Sequence, residues 1–296
     1  MIPNIIVALS IAVCAGVYWD GLYGPLLLDD ISNLSEILSP DFGPADILPN
    51  LLSDSGILKR PVSMLSFMLN GLSSASLFHW KLTNLIIHLV NGLLLYALAT
   101  RLTRATGVAS KIVPAIIAAA WILHPLQVST VLYTVQRMTE LSALFVFAAM
   151  LTYTIARERQ QAGSTSWHLQ AITWLLLFPL GLLSKENALL LPAFVFLMEV
   201  FILSRNKVDN RQLLSIIAIT ATLFTLVIII KEDWLFSTYA HRDFTLSERL
   251  LTESRILIAY IGMLLIPAQN RMGFAHDDVI LSYGLLDPWT TLPAIF

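Results

Sequence analysis

The sequence predicts an all-α, polytopic membrane protein with roughly eight transmembrane helices and a large non-cytoplasmic first loop. Three observations carry that prediction. The chain is 56% hydrophobic and 13% charged, with a mean hydropathy of +0.73, where soluble domains hold roughly 45–50% apolar and about 25% charged residues. The apolar excess falls in separate runs of spanning length, about 20 residues being what a helix needs to cross the hydrocarbon core. Runs such as Ala171–Leu183 and Leu213–Ile230 are apolar nearly all round, which excludes the alternating strands of a membrane barrel.

Taken in order, the first run is Ile2–Trp19. It lacks a basic leader and a small-x-small cleavage site before Asp20, so it reads as an uncleaved span and not a signal peptide. Further runs lie at 82–100, 112–132, 141–156, 169–184, 187–204, 212–230 and 255–267. Pro61–Leu72 and Pro125–Tyr133 read either as half-membrane or interfacial helices or as plain loop or span. The chain is one transmembrane domain over residues 1–296, and Pro288–Phe296 reads as the start of a further span, so a longer parent protein is expected. The single cysteine, Cys14, excludes an intrachain disulfide and reads as a small packing residue.

Charge gives the orientation. The breaks between the later runs hold Arg101, Arg104, Lys111, Arg157, Arg159, Arg205, Lys207 and Arg211 against Glu158 and Asp209. The stretch 20–60 holds Asp20, Asp29, Asp30, Glu36, Asp41, Asp46 and Asp54 against Lys59 and Arg60. Basic loops stay in the cytoplasm, which puts the first loop, residues 20–78, outside. Counting crossings places the turns near 134–140 and 184–187 on that same outer face. The net charge of −2 shows no nucleic-acid footprint.

Ionisable groups at membrane depth are costly and mark functional sites by default. On the outer face the topology gathers Asp29-Asp30, Lys59-Arg60, Gln136-Arg137 with Glu140, and Lys185-Glu186. Such a set suits a reaction in which a carboxylate deprotonates an acceptor hydroxyl while fixed cations hold a phosphate leaving group. It equally suits loop charges facing water and lipid headgroups. His88 shares a helix face with Asn84 and Asn91, for interhelical hydrogen bonding or for a substrate contact. The six histidines show no metal-ligand spacing, and no nucleotide-binding motif occurs. A sugar donor used here would therefore arrive on a lipid.

Six segments stand in order: Leu28-Asp29-Asp30-Ile31-Ser32-Asn33, Lys59-Arg60-Pro61-Val62, His79-Trp80 with Asn84, His88 and Asn91, Leu123-His124-Pro125-Leu126-Gln127, Val135-Gln136-Arg137, and Ser184-Lys185-Glu186-Asn187. This order resembles the transmembrane-and-tetratricopeptide O-mannosyltransferases and their bacterial relatives, within the C superfamily of integral-membrane glycosyltransferases. The resemblance implies inverting transfer of a sugar from a polyprenyl- or dolichyl-phosphate donor to a hydroxyl of a protein or cell-envelope glycan. It implies that Asp29 or Asp30 is the general base, that Arg60, Arg137 and Lys185 meet the donor phosphate, and that Glu186, His88, Asn84 and Lys59 line the pocket or meet the acceptor. No metal and no cofactor beyond the lipid-linked donor are expected. The expected location is a bacterial inner membrane with the active site facing the periplasm or exterior. The run Gln136-Arg137-Met138-Thr139-Glu140 departs from the Gly-Arg-Ala-Asp type of the animal members, and tetratricopeptide repeats are absent from these 296 residues. The rival reading is a transporter or flippase for a lipid-linked anion, and a third is a membrane scaffold.

Overall fold

The computed structural model describes residues 1–39, 41–51, 59–74, 76–204, 218, 225, 239, 242–268 and 279–296. The chain divides into two compact units, Met1–Leu223 and Phe224–Phe296. All regular structure among the described residues is helical.

The first unit is built on long helices. α1 (Ile2–Tyr18) continues as a tight turn to Tyr23. The first loop then forms α2 (Asp29–Leu34), α3 (Ile47–Leu51) and α4 (Pro61–Ser73). α5 (Leu77–Ala105) follows, its 29 residues spanning about 44 Å at the helical rise. After it come α6 (Val113–Ile122), α7 (Gln127–Leu132) and α8 (Arg137–Gln161). The unit closes with α9 (Trp167–Leu182) and α10 (Glu186–Leu203), each passing through a stretch of wider π-type turns.

Among the described residues four helices are long and apolar enough to cross a membrane: Ile2–Tyr23, Leu77–Ala105, Thr134–Gln161 and Glu186–Leu203. That is fewer than the roughly eight expected, for identifiable reasons. The run 112–132 is not one helix. α6 stops at Ile122, and after the turn at His124-Pro125 the chain resumes as the separate α7, because proline clashes with helical geometry in the residue before it. The ten residues of α6 reach about 15 Å, half the hydrocarbon thickness. α9, on the run 169–184, is also short of a full span. The run 212–230 lies outside the described residues, apart from positions 218 and 225.

α5 and α8 form the centre. Small residues let neighbours approach: Gly92 of α5 sits against Ile122 of α6, and Gly181 of α9 against Ala188. One apolar core joins α5, α8, α9 and α10 through Leu98, Ala149, Phe178, Leu191 and Val195. Another joins α1, α5, α6 and α7 through Cys14, Tyr18, Leu85, Ile122 and Val131. A third lies under the first loop, where Leu34, Ile37, Met64, Phe67 and Met68 pack on Trp80, Tyr133, Val135 and Met138. The described residues of the 20–78 segment thus place short helices over one end of the bundle. At the opposite end Glu199 takes the Arg157 guanidinium, the Tyr153 hydroxyl at 3.0 Å and the Ser204 hydroxyl, and Arg101 pairs with Glu158.

In the second unit α11 (Leu246–Leu265) opens with a reciprocal cap: Thr245 Oγ1 accepts from the Glu248 N–H, and the Glu248 carboxylate accepts from the Thr245 N–H at 2.7 Å. The expected span 255–267 overlaps its apolar second half as far as Leu265, where the helix ends, while the first half carries Glu248, Arg249, Glu253 and Arg255.

Candidate active site at the capped end of the bundle

The 133–139 turn is the hub on which the sequence motifs meet. α2 attaches to it through Asp30. This carboxylate is 0% exposed and accepts three backbone N–H groups: Val135 at 2.6 Å, Leu27 at 3.0 Å and Thr134 at 3.3 Å. Beside it the Asp29 N–H donates to Tyr133 Oη at 2.8 Å, and the Asp29 side chain is exposed. Leu28, just before the pair, has φ +39°, a left-handed conformation that costs a non-glycine residue roughly 1–3 kcal/mol. The clamps on Asp29 and Asp30 hold the strained turn and aim the two neighbours in opposite senses.

From the same hub, Gln136 and Thr139 reach the lysine of the Ser184-Lys185-Glu186 motif. Lys185 Nζ donates to Thr139 Oγ1 at 2.7 Å and to Gln136 Oε1 at 3.4 Å. Partial burial pushes the Lys185 ammonium below its ordinary value, the Arg60 charge pushes the same way, and Glu186 offsets part of the effect. Glu186 in turn takes Arg60 through Nε at 3.1 Å and Nη2 at 2.9 Å, while Arg60 Nη1 faces only the thioether sulfur of Met138 at 3.5 Å. Lys59 and Arg60 both have left-handed backbones, φ +57° and +44°. That turn delivers the chain into α4, which is pinned to the 183–184 segment: the Val62 N–H donates to Leu183 O at 3.2 Å and Ser63 Oγ to Ser184 O at 2.9 Å. Lys59 is exposed.

Arg137, expected at the donor phosphate, is placed otherwise. It is 0% exposed, with Nε donating to Asn84 Oδ1 at 2.7 Å, Nη1 to Ser66 O at 3.1 Å and Nη2 to Trp80 O at 2.8 Å, and it lies 4.6 Å from the Phe67 ring centre. These partners tie α4, α5 and α8 together, and the rings of Phe67 and Trp80 flank the buried cation. Asn84 completes the knot, its Nδ2 donating to Val131 O and Thr134 O. His88 lies one turn deeper on α5, with Nε2 3.0 Å from Ile122 O and its ring stacked on Trp121. Asn84 and His88 are therefore inside the bundle, beneath the exposed groups.

Two residues outside the sequence reading belong here. Tyr133 accepts the Asp29 N–H; burial, with the carboxylates of Asp29 and Asp30 adding to it, raises its phenol above the ordinary value although the Asp29 N–H bond opposes this. Lys81, 2% exposed, donates to Gly24 O at 3.0 Å and Pro25 O at 2.8 Å, tying the first loop to α5. Its position three residues before Asn84 was the available signal, since i and i+3 share a helix face. Among the described residues no group of three or more His, Cys, Asp or Glu is placed to hold a metal ion.

Fold and site define a class, a membrane protein of apolar helices whose one end carries an exposed carboxylate together with a lysine and an arginine. Within that class the chain is similar to the human Protein O-mannosyl-transferase TMTC3, at 27% identity over 209 residues, which cover 66% of this chain and 22% of that protein. The chain thus spans about a fifth of the relative's length. No family model and no solved structure matches the chain.

Proposed function

We propose that this chain is the membrane glycosyltransferase portion of an enzyme that moves a sugar from a polyprenyl-phosphate donor to a hydroxyl of a protein or cell-envelope glycan on the non-cytoplasmic face. The observation that carries the reading is the opposed setting of the two aspartates. Asp30 is locked by three backbone donors, whereas Asp29 stands exposed at the start of α2, linked through the 133–139 hub to Lys185 and Arg60. The distant similarity to a protein O-mannosyltransferase supports the same reaction class.

Asp29 is the general base. Its carboxylate takes the acceptor's hydroxyl proton as that oxygen attacks the anomeric carbon, and the carbon–oxygen bond to phosphate breaks with inversion, releasing polyprenyl phosphate. Lys185 spends two of its hydrogens on Thr139 and Gln136, leaving the third of an ammonium's donors for a phosphate oxygen. Arg60 Nη1, set only on a thioether, offers the second cationic contact, because sulfur is a weak acceptor that a phosphate oxygen displaces. Glu186 orients Arg60.

The test is transfer of labelled sugar from polyprenyl-phosphate sugar in membranes holding the full-length parent protein, wild type against Asp29→Asn at matched expression. Removing a positioned base costs typically 10²–10⁴-fold; a loss of that size with donor binding retained is the expected result. Transfer at the wild-type rate would exclude Asp29 as the base. Movement of donor between leaflets without any transfer would favour a flippase.

A further inference from the structure

α4 crosses the end of the bundle that carries the candidate site. Near its start the Val62 N–H donates to Leu183 O at 3.2 Å and Ser63 Oγ to Ser184 O at 2.9 Å, just ahead of α10. At its middle Ser66 O accepts from Arg137 Nη1 at 3.1 Å, on the first turn of α8. Just past its end Ser74 O accepts from Trp80 Nε1 at 2.8 Å, on the first turn of α5. These attachments lie at the starts of three of the helices long and apolar enough to cross a membrane. A helix tied at three points along its length to the same end of three spans lies across them, roughly parallel to the membrane plane. Its 13 residues reach about 20 Å, too short for a span of its own.

The side chains of α4 divide three ways. Ser63, Met64, Phe67 and Met68 are buried against the bundle. Leu65, Leu69 and Leu72, at i, i+4 and i+7, share one face as a stripe that is 41%, 58% and 42% exposed. Ser66, Asn70 and Ser73 repeat the same spacing on the other flank. None of the 13 residues is charged, whereas a helix facing water carries charged and polar residues opposite its buried face. Lys59 and Arg60 stand immediately ahead of Pro61. A second observation gives the depth. Trp19 and Tyr23, exposed at the end of the first span, pack on Phe78 in the first turn of α5, with ring centres 5.5 and 4.8 Å away. Tryptophan and tyrosine exposed at span ends mark the membrane–water interface. Ser74, which follows α4, bonds to His79 and Trp80 on that same turn.

We propose that α4 is an interfacial anchor: it lies along the bilayer surface at this end of the bundle, with Leu65, Leu69 and Leu72 seated among the acyl chains and Ser66, Asn70 and Ser73 turned to headgroups and water. Lipid covers the leucine stripe, because the stripe stands at the level of the span ends, where the hydrocarbon begins, and carries no charge for a protein partner to read. The apolar face of such a helix enters about 5–10 Å into the boundary between headgroups and acyl chains. The Lys59-Arg60 turn, which opens the helix, then stands at the level of the lipid phosphates, whether or not the chain transfers sugar.

Nitroxide labels on Leu65→Cys, Leu69→Cys, Leu72→Cys and Ser73→Cys test this, each in a Cys14→Ser background of the full chain in nanodiscs of phosphatidylcholine and phosphatidylglycerol. Collisions of the label with oxygen, which concentrates in hydrocarbon, are compared with collisions with a water-soluble nickel chelate. The expected result is an oxygen-to-nickel ratio several-fold higher at all three leucine positions than at Ser73. Equal ratios at the four positions would place the stripe in water. Low collision with both reagents at the leucine positions would show a protein surface covering it, a second copy of this chain included. Either result overturns the proposal. All four side chains are exposed, so the substitutions remove no packing in the bundle and each label reports independently. Collision rates do not depend on transfer, which separates this outcome from that of the Asp29→Asn measurement.

Discussion

At Asp30 both carboxylate oxygens accept backbone N–H groups, and each needs an acceptor. Asp30→Asn replaces one oxygen with an NH₂ that cannot accept, leaving at least one buried N–H without a partner at a cost of about 1–3 kcal/mol. The expected outcome is a lower thermal midpoint, in contrast to Asp29→Asn, where transfer falls at an unchanged midpoint; the two variants measured side by side separate a clamp from a base. Lys185 supplies a pH prediction. Its folded-state ammonium titrates below the ordinary 10.5, so folding disfavours the charged form, and stability from this group rises as pH climbs from the folded value towards 10.5. The proposed phosphate contact needs the proton, so donor affinity is expected to move the other way. Binding of polyprenyl phosphate is therefore expected to weaken on the alkaline side earlier than for an unperturbed lysine, and Lys185→Arg, whose charge persists, is expected to abolish that limb. The Asp29-Asp30 pair was visible in the sequence, but its split into an exposed and a buried carboxylate was not, since adjacent residues of one type differ only in what surrounds them.

Among the elements, α5 carries the most constraints. It meets the first loop through Trp80 and Lys81, the hub through Asn84, and α6 at Gly92. A Cβ on Gly92 would stand 2.4 Å from Ile122 Cγ1 and 2.6 Å from its Cδ1. Ile122 is 0% exposed and cannot swing aside. Gly92→Ala is expected to destabilise by about 1–3 kcal/mol through overpacking, outweighing the roughly 1 kcal/mol of helix propensity gained, and Ile122→Val is expected to restore part of the loss in the same melting experiment. α6 and α7 show where the sequence pattern misleads. Residues 112–132 are apolar enough for a span, yet the break at His124-Pro125 acts on the backbone, which hydropathy does not register. The ranges of α5, α8 and α10 were legible because uninterrupted apolar runs of their length have no stable alternative in lipid.

For the whole first unit, the motif residues Asp29, Arg60 and Lys185 share one end of the bundle, and Arg101, Arg157 and Glu199 the other. The bias of basic residues towards the second end predicts which face is cytoplasmic. In a Cys14→Ser background, Ser35→Cys is expected to react with an impermeant maleimide from outside intact cells, and Ala109→Cys only after permeabilisation; the reverse pattern would invert the topology. Composition and run length by themselves determined that this is a helical membrane protein, and charge asymmetry with motif order determined which residues were worth watching, because transfer free energy and charge are properties of residue type. Tertiary structure alone decided that Arg137 is a buried knot, that Asp30 is a clamp and Asp29 is exposed, that Tyr133 and Thr139 hydrogen-bond to the motif residues Asp29 and Lys185, and that Lys81 ties the first loop to α5. Those distinctions depend on which backbone N–H and C=O groups arrive from elements far apart in the chain, and no local pattern encodes their arrival.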